Sequence, residues 1–291
     1  MGRTKLLFPA SDSLGVRSMA NFLLTESGTK IAIDPGAALA PRRYGLPPHP
    51  IELHALEQSL ELIKKEINDS SVVVITHYHR DHYPQRKDIL DALIGKTVIM
   101  KHPSIEINRS QKLRASLFQK ELESRGIKYL AVNSGRLSVE DLKISIEGPF
   151  WHGEIGTPLG KIIAVVIDDG DFRYYFASDS QGPVDPNALN SICSLKPNLL
   201  YISGPPNYFE SSSLKQENIR AGMMNLEKMI SSACFNSAII DHHFAREKGY
   251  ESRLRELMMI GKDAGVSIND VAGFVGVERK PLESMRRELY K

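Results

Sequence analysis

The chain has 291 residues, of which 42% are hydrophobic and 25% are charged, with 21 glycines and 16 prolines. This composition is typical of a globular protein and excludes a disordered chain or a fibrous repeat. The 37 basic and 35 acidic residues leave a net charge of +2, so the overall electrostatic field does not favour nucleic-acid binding. Binding of nucleic acid in a local basic groove remains an alternative. We expect a single domain over residues 1–291, because no convincing linker interrupts the chain.

The first part of the chain is predicted to consist of short strands, a loop and a helix-strand unit. A strand begins at Lys30 and stops at Asp34-Pro35-Gly36. Pro50 then opens an amphipathic helix, in which Leu and Ile recur at three- and four-residue steps. The β-branched run 71–76 is predicted to be a buried strand. A histidine cluster follows at its carboxyl end, where open α/β sheets present functional loops.

The rest of the chain alternates helices and strands around a strand-rich centre. The helices are predicted at 112–125, 216–232, 251–263 and 282–289, with a helix-then-strand unit at 88–100. The strands are predicted at 143–146, 161–167, 172–177, 197–203 and 237–241. An Asp-Gly turn joins the second and third of these strands as a hairpin. This order predicts an α/β fold in which two sheets pack face to face with helices outside.

Neither the N-terminus nor the two cysteines indicates secretion. The first residues lack the apolar stretch of a signal peptide, and the longest apolar runs have only strand length. We therefore expect a cytoplasmic protein with no membrane partner. Cys193 and Cys234 lie far apart among apolar or small residues. A disulfide is the alternative, but buried free thiols in a reducing compartment are our prediction.

Three histidines and an aspartate fall within six residues of one another: His77, His79, Asp81 and His82. Imidazoles two residues apart in a turn can converge on one ion, while Asp81 and His82 face a second ion close by. Neutral imidazole and carboxylate suit zinc and similar divalent cations. A surface or helix-capping histidine cluster is the competing interpretation.

The segment THYHRDH, from Thr76 to His82, resembles the signature of the metallo-β-lactamase superfamily. The resemblance implies an αββα four-layer sandwich with two mixed β-sheets and with further ligands at strand ends. It implies that His152 completes the first metal site and that Asp179 is the bridging carboxylate. The competing aspartates 168, 169 and 171 lie at a hairpin tip, where solvated turn residues are expected.

Two further motifs resemble those of the superfamily. The motif Asp241-His242-His243 closes the strand before it and implies a histidine ligand for the second ion. We prefer His242 because it comes first after the strand, and His243 is a candidate leaving-group acid, but the choice stays open. Asp34 matches the first motif, in which the aspartate orients the metal loop through hydrogen bonds. A plain strand-terminating Asx turn is the alternative.

The resemblance implies a metal-dependent hydrolase in which two divalent cations share a bridging hydroxide. Catalytic roles fall to Asp81 and His243. The imidazole-rich ligand set favours Zn²⁺, while Mn²⁺ and Fe²⁺ fit the same residue types. Two substrate classes remain as alternatives: a phosphodiester or nucleic acid, and a lactone or thioester. A homo-oligomer is also an open alternative.

Two other functions are the alternatives. One is a non-catalytic metal-binding or scaffold protein of the same fold. The other is a diiron redox protein, whose cluster in the flavodiiron enzymes carries Glu where this chain has His79. The segments 203–206 and 272–290 are also similar to an archaeal family of metallo-β-lactamase-fold hydrolases, and this likeness implies no substrate.

Overall fold

A computed structural model describes residues 4–139, 142–209 and 216–291. The strands of its first sheet are β1 (Lys5–Leu7), β2 (Asn21–Leu24), β3 (Lys30–Ile33), β4 (Val72–Ile75), β5 (Thr97–Lys101) and β6 (Tyr129–Val132). They are hydrogen-bonded in chain order. β1 to β3 run antiparallel, and β3 to β6 run parallel because helical segments separate them. All four residues of β4 are buried, as the continuous β-branched run predicts.

The strands of the second sheet are β7 (Gly135–Val139), β8 (Leu142–Trp151), β9 (Lys161–Asp169), β10 (Phe172–Phe176), β11 (Leu199–Ile202), β12 (Ser237–Ile240) and β13 (Ser267–Asn269). Their order in the sheet is β13-β12-β11-β10-β9-β8-β7. β7 to β10 pair antiparallel, and β10 to β13 pair parallel. The predicted Asp-Gly hairpin joins β9 to β10.

The helices are α1 (Pro50–Asn68), α2 (Lys87–Asp91), α3 (Arg109–Ser124), α4 (Pro186–Leu195), α5 (Gln216–Ser231), α6 (Glu251–Ala264), α7 (Val271–Val275) and α8 (Arg286–Leu289). His49 caps α1 by accepting a hydrogen bond from the Ile51 amide, and Glu52 accepts one from the His49 amide. None of the helices within the described ranges is long and apolar enough to cross a bilayer.

Alternating side chains of each sheet divide the core into three layers. In β9, Ile163 and Val165 pack between the sheets, whereas Ile162 and Ala164 face the layer of α4, α5 and α6. On the other side, Val73 of β4 packs with α1 and α3. Two sheets face to face with helices outside make the four-layer αββα sandwich, and this confirms the predicted fold.

Several local elements differ from the predictions. The helices α4 and α7 and the strands β1, β6, β7 and β13 were not predicted. The C-terminal helix was predicted over 282–289, but only Arg286–Leu289 is α-helical. The preceding residues form turns in which the Leu282 amide bonds to the Lys280 carbonyl across Pro281.

The prediction of free thiols is wrong, because Cys193 and Cys234 form a disulfide. Cys193 lies in α4, and Cys234 follows the end of α5, so packing of both helices on one face of the second sheet brings their Cα atoms to 4.5 Å. The two cysteines are 41 residues apart in sequence, and no local pattern reveals that proximity. The inference of a reducing compartment therefore loses its basis.

Candidate metal centre

The candidate ligands meet along one edge of the sandwich, where several strands end. In the first sheet, Asp34 follows β3 and the loop His77–His82 follows β4. In the second sheet, His152 follows β8, Asp179 follows β10, and the pair His242-His243 follows β12. β4 and β10 to β12 all take part in parallel pairing, so their carboxyl ends present loops to a common edge. The structure thus brings together every residue that the sequence proposed for this site.

One group of ligand atoms comprises three imidazoles and a carboxylate. His79 Nδ1 lies 3.1 Å from both His77 Nε2 and His152 Nε2. His152 Nε2 lies 2.9 Å from Asp179 Oδ2. Nitrogens bound to tetrahedral zinc at their usual bond length are about 3.3 Å apart, so this spacing fits one such ion.

A second group shares the same aspartate. His82 Nε2 lies 3.5 Å from Asp179 Oδ2, and His242 Nε2 lies 3.4 Å from Asp179 Oδ1. The Asp81 carboxylate lies 3.6 Å from His242 Nε2, and Asp81, His82 and His242 form one potential ligand set. His82 Nε2 and Asp179 Oδ1 are buried and have no hydrogen-bond partner among the described residues. Unsatisfied atoms of this kind fit a cation between them.

Asp34 orients the ligand loop through hydrogen bonds, as the resemblance implies. Its carboxylate accepts hydrogen bonds from the Thr76 amide at 2.7 Å and from the Thr76 hydroxyl at 2.5 Å. His82 Nδ1 lies 2.7 Å from Asp34 Oδ2, which fixes the imidazole with Nε2 directed at the ligand group. The partners of Asp34 lie about 42 residues further along the chain, so a plain Asx turn does not describe it.

Two further residues support the site and were missed by the sequence analysis. Asp12 Oδ2 lies 2.7 Å from His242 Nδ1, in the same relation that Asp34 has to His82. Arg246 donates from Nε to Asp12 and from Nη2 to Asp81, at 2.8 and 3.1 Å. Asp12 belongs to no motif, and the only local signal for Arg246 is its place four residues after His242.

The backbone around the site is strained at three strand ends. Asp34, Ser178 and His242 have φ angles of 46°, 49° and 59°, in the left-handed region that non-glycine residues avoid. Such outliers persist where the surrounding structure imposes them, and they cluster at functional sites. At Gly36, a Cβ atom would lie 2.3 Å from the Tyr83 amide nitrogen, so glycine is what lets the Asp34 turn lie against the ligand loop.

Comparison with known proteins assigns the chain to a family. The chain is 38% identical over 288 residues to a UPF0282 protein of Aeropyrum pernix, with 97% of each chain covered. It is 35% identical over 288 residues to a UPF0282 protein of Methanopyrus kandleri, with 96% of each covered. The chain belongs to the UPF0282 family. No protein-family model matches it.

Three solved structures share the fold of this UPF0282 protein. The metallo-β-lactamase fold protein YhfI from Bacillus subtilis is 13% identical, with a TM-score of 0.55 over 92% of this chain and 96% of that one. A diphosphatase from the PhnP family is 14% identical, with a TM-score of 0.54 and the same coverage. The diiron β-hydroxylase CmlA from Streptomyces venezuelae is 12% identical, with a TM-score of 0.55 over 93% of this chain and 53% of that one. At such low identity these likenesses show the metallo-β-lactamase fold.

Burial and neighbouring charges set the protonation of the ligands in the UPF0282 protein. Burial lowers the pKa values of His77, His79 and His242, which keeps these imidazoles neutral as metal binding requires. Burial also acts to lower the pKa of His82, but the carboxylates of Asp179 and Asp34 outweigh it and raise that pKa. A cation bound at the second group would therefore displace a proton from His82.

His243 lies beside both ligand groups and forms a further potential ligand set with Asp179 and His242. Its Nε2 is 3.2 Å from Asp179 Oδ2, and its Nδ1 is 3.2 Å from the Tyr208 hydroxyl. Burial lowers the pKa of His243 to about 3, so its imidazole is neutral at ordinary pH. As a leaving-group acid, His243 would have to receive its proton when substrate binds. The role stays a prediction.

A cavity of about 490 Å³ opens over both groups. His79, Asp81, His152 and Asp179 form part of its lining, together with four arginines: Arg17, Arg80, Arg114 and Arg246. A small-molecule substrate, or one unit of a larger one, fits a cavity of this volume. The reacting bond of a bound substrate would therefore lie over the ligand groups.

Proposed function

We propose that this UPF0282 protein is a metal-dependent hydrolase with a dinuclear metal centre, and that zinc is the metal this centre binds. One observation carries the proposal: two groups of buried or half-buried ligand residues lie on either side of the Asp179 carboxylate, which contacts His152 of the first group and His82 and His242 of the second. The first group is His77, His79 and His152, and the second is Asp81, His82 and His242. Five imidazoles and two carboxylates form a donor set suited to zinc, with manganese and iron as the other candidates.

The cations would supply an activated water nucleophile and a positive charge for the oxyanion that develops during hydrolysis. The protein's own residues hold that arrangement in place. Asp34 and Asp12 fix the rings of His82 and His242 with their Nε2 atoms inward. His243 lines the cavity and would exchange a proton with the leaving group.

The two alternatives predict different results in the same assays. A diiron redox protein would bind iron and reduce oxygen. The likeness in fold to the diiron β-hydroxylase CmlA is the observation that favours this alternative. A scaffold protein would bind little metal or none. The complete ligand set argues against a scaffold protein, because degenerate sites usually lack ligands. The nitrogen-rich donors argue against the redox protein, because this chain has His79 where the flavodiiron enzymes carry Glu.

The test combines metal analysis with a hydrolase screen. Purified protein is stripped, reloaded with Zn²⁺, Mn²⁺ or Fe²⁺, and assayed on phosphodiester, RNA, lactone and thioester substrates. We expect about two bound ions per chain and metal-dependent turnover of one substrate class. Replacing a ligand, in His79→Ala or Asp179→Ala, is expected to reduce turnover more than about 100-fold, with the circular dichroism spectrum retained.

A matched control is His102→Ala. His102 follows β5, outside the ligand groups, and its ring accepts hydrogen bonds from the Ser104 and Ile105 amides. This variant should keep its metal content and turnover. The proposal fails if the native protein recruits none of the three metals, or if both ligand variants keep full activity. Metal-dependent oxygen consumption without hydrolysis would favour the redox protein.

A further inference from the structure

Arginine is concentrated in the cavity over the candidate metal centre. Four arginines and no lysine contribute to its lining, although the chain as a whole carries a net charge of only +2. The acidic residues of the same lining are Asp81, Asp179 and Glu154, and the first two belong to the ligand groups. The charge available to a substrate therefore depends on which arginines are already paired.

Two of the four arginines are neutralised by carboxylates. Arg17 donates to both carboxylate oxygens of Glu283, at 2.5 and 2.7 Å. Arg246 lies between Asp12 and Asp81 and bonds to both. These pairs are buried or half-buried, so both guanidinium groups are already occupied within the protein.

The other two, Arg80 and Arg114, have no carboxylate within ion-pair distance among residues 4–139, 142–209 and 216–291. Arg114, on α3, donates to the Tyr78 carbonyl at 2.9 Å and to the Ser110 hydroxyl at 2.8 Å, both neutral acceptors. These bonds fix the guanidinium beside the ligand loop without neutralising it. Arg80 lies within that loop, between His79 and Asp81, and its side chain is exposed.

We propose that Arg80 and Arg114 form an anion-binding subsite that takes a phosphate group of the substrate. The proposal rests on the proposed function and deepens it, because it selects phosphate-bearing substrates over neutral lactones and thioesters. Each guanidinium group carries parallel N–H donors that match phosphate oxygens, and the two groups together offset up to two negative charges. The apolar lining residues Leu39, Val184 and Ile219 leave room for an uncharged part of the same molecule.

The subsite differs from the metal centre in what it does. The ligand groups would act on the bond that is cleaved, whereas Arg80 and Arg114 would fix a charged group of the substrate near it. Binding energy gained there orients the reacting bond, so loss of a guanidinium should raise KM more than it lowers kcat if the contact is equal in ground state and transition state.

The test measures anion binding first, with inorganic phosphate as the probe and acetate as the comparison, by isothermal titration calorimetry on zinc-loaded protein. The variants are Arg80→Gln, Arg114→Gln and the double variant. Each single change is expected to weaken phosphate binding about 10-fold, the usual effect of losing one charged hydrogen bond. Arg114→Lys keeps a charge and should fall between Arg114→Gln and the native protein. Lys112→Gln, an exposed change on α3 outside the cavity, should have no effect.

The outcomes separate the subsite from the hydrolase. Unchanged phosphate affinity in the double variant would overturn the subsite, and so would acetate binding as tightly as phosphate. If turnover persists in that case, the proposed function still stands. If phosphate binding falls as expected but no substrate is hydrolysed with any metal, the subsite is supported and the hydrolase is not. Thermal melts of each variant would show whether the fold is retained.

Discussion

The two sheets contribute to the candidate metal centre in different ways. From the first sheet, one loop after β4 carries four candidate ligands within six residues, and Asp34 binds that loop at its base. The second sheet supplies single residues after three separate strands: His152, Asp179 and His242. The first arrangement depends on local geometry, whereas the second depends on the register of a whole sheet. Loss of tertiary stability should therefore affect the second set of ligands first.

The same two halves also differ in what stabilises them. The second sheet has a disulfide in its helix layer, between Cys193 and Cys234. The first sheet carries Lys101 at the end of β5, the one fully buried lysine of the described residues. A cross-link constrains the unfolded chain, while a buried ammonium group opposes folding. The half with the scattered ligands is thus the half with the covalent cross-link.

The largest expected effect comes from removing the disulfide. In the double variant Cys193→Ala, Cys234→Ala, the free energy of unfolding should fall by about 4 kcal/mol, because a loop closed over 41 residues loses that much constraint in the unfolded state. Guanidinium denaturation of the metal-free oxidised protein measures it. Native protein under reducing conditions is the matched control and should lose a similar amount.

This experiment also tests the comparison between the halves. If the second sheet depends on the cross-link, hydrogen exchange in the double variant should increase in β10 to β12 more than in β3 to β5. Equal increases in both sheets, or an unchanged free energy of unfolding, would show that the disulfide does not distinguish them.

The next effect concerns Lys101 and is a dependence of stability on pH. Its Nζ donates to the Ile105 carbonyl at 3.0 Å and to Asn133 Oδ1 at 3.2 Å, yet burial lowers its pKa from 10.5 to about 8. Between these two values the unfolded chain holds the proton and the folded chain has released it. The unfolded state binds more protons, so stability should rise with pH across this window.

The size of that rise is about 3 kcal/mol, from the difference between the two pKa values. Other groups titrate in the same range, so the quantity to measure is the difference in unfolding free energy between native protein and Lys101→Met. That difference should shift in favour of the native protein from pH 7.5 to about pH 10.5. Lys112→Met, an exposed change on α3, is the control. A constant difference would show that the buried ammonium is not destabilising.

The sequence revealed the first-sheet ligands directly and the second-sheet ligands only through family resemblance. The run THYHRDH places several metal-binding side chains on one turn, so spacing alone predicts convergence. His152 and Asp179 are single residues after ordinary strands, and nothing in their spacing distinguishes them from other polar residues. Asp12 and Arg246 went unpredicted because they are 234 residues apart, and only the closed fold brings them together.

The fold was predicted where a pattern was strong. The apolar steps predicted α1, and the β-branched run predicted the buried strand β4. Burial follows the apolar steps only in the second half of α1, where Ile63 and Ile67 are buried, whereas Leu53 is exposed. Helix α4 was missed although Asp185 caps it and Pro186 occupies its first turn, both recognised start signals. Its ten residues include several small and polar ones, so its apolar face is short. The disulfide was missed with it, since Cys193 lies on that helix.

The smallest expected effect concerns the partners that hold the ligand rings. His82, from the first sheet, bonds to the carboxylate of Asp34 at 2.7 Å, whereas His152, from the second, has the neutral amide of Gln181 at 3.3 Å from its Nδ1. A carboxylate both orients an imidazole and raises its basicity, so Asp34→Asn should weaken zinc binding at the second group by about 10- to 100-fold. Competition with a chromophoric chelator measures the affinity.

The matched change for the second sheet is Gln181→Asn, which shortens the side chain and keeps the φ angle of 53° tolerable, because asparagine accepts the left-handed region. Since a neutral partner orients the ring without adding charge, this variant should lose less than about 10-fold in zinc affinity. If Gln181→Asn weakens zinc binding as much as Asp34→Asn does, the ring of His152 depends on its partner as strongly as that of His82. The contrast between the charged partner of His82 and the neutral partner of His152 would then have no consequence for metal affinity, and the difference between the halves would reduce to the spacing of their ligands along the chain.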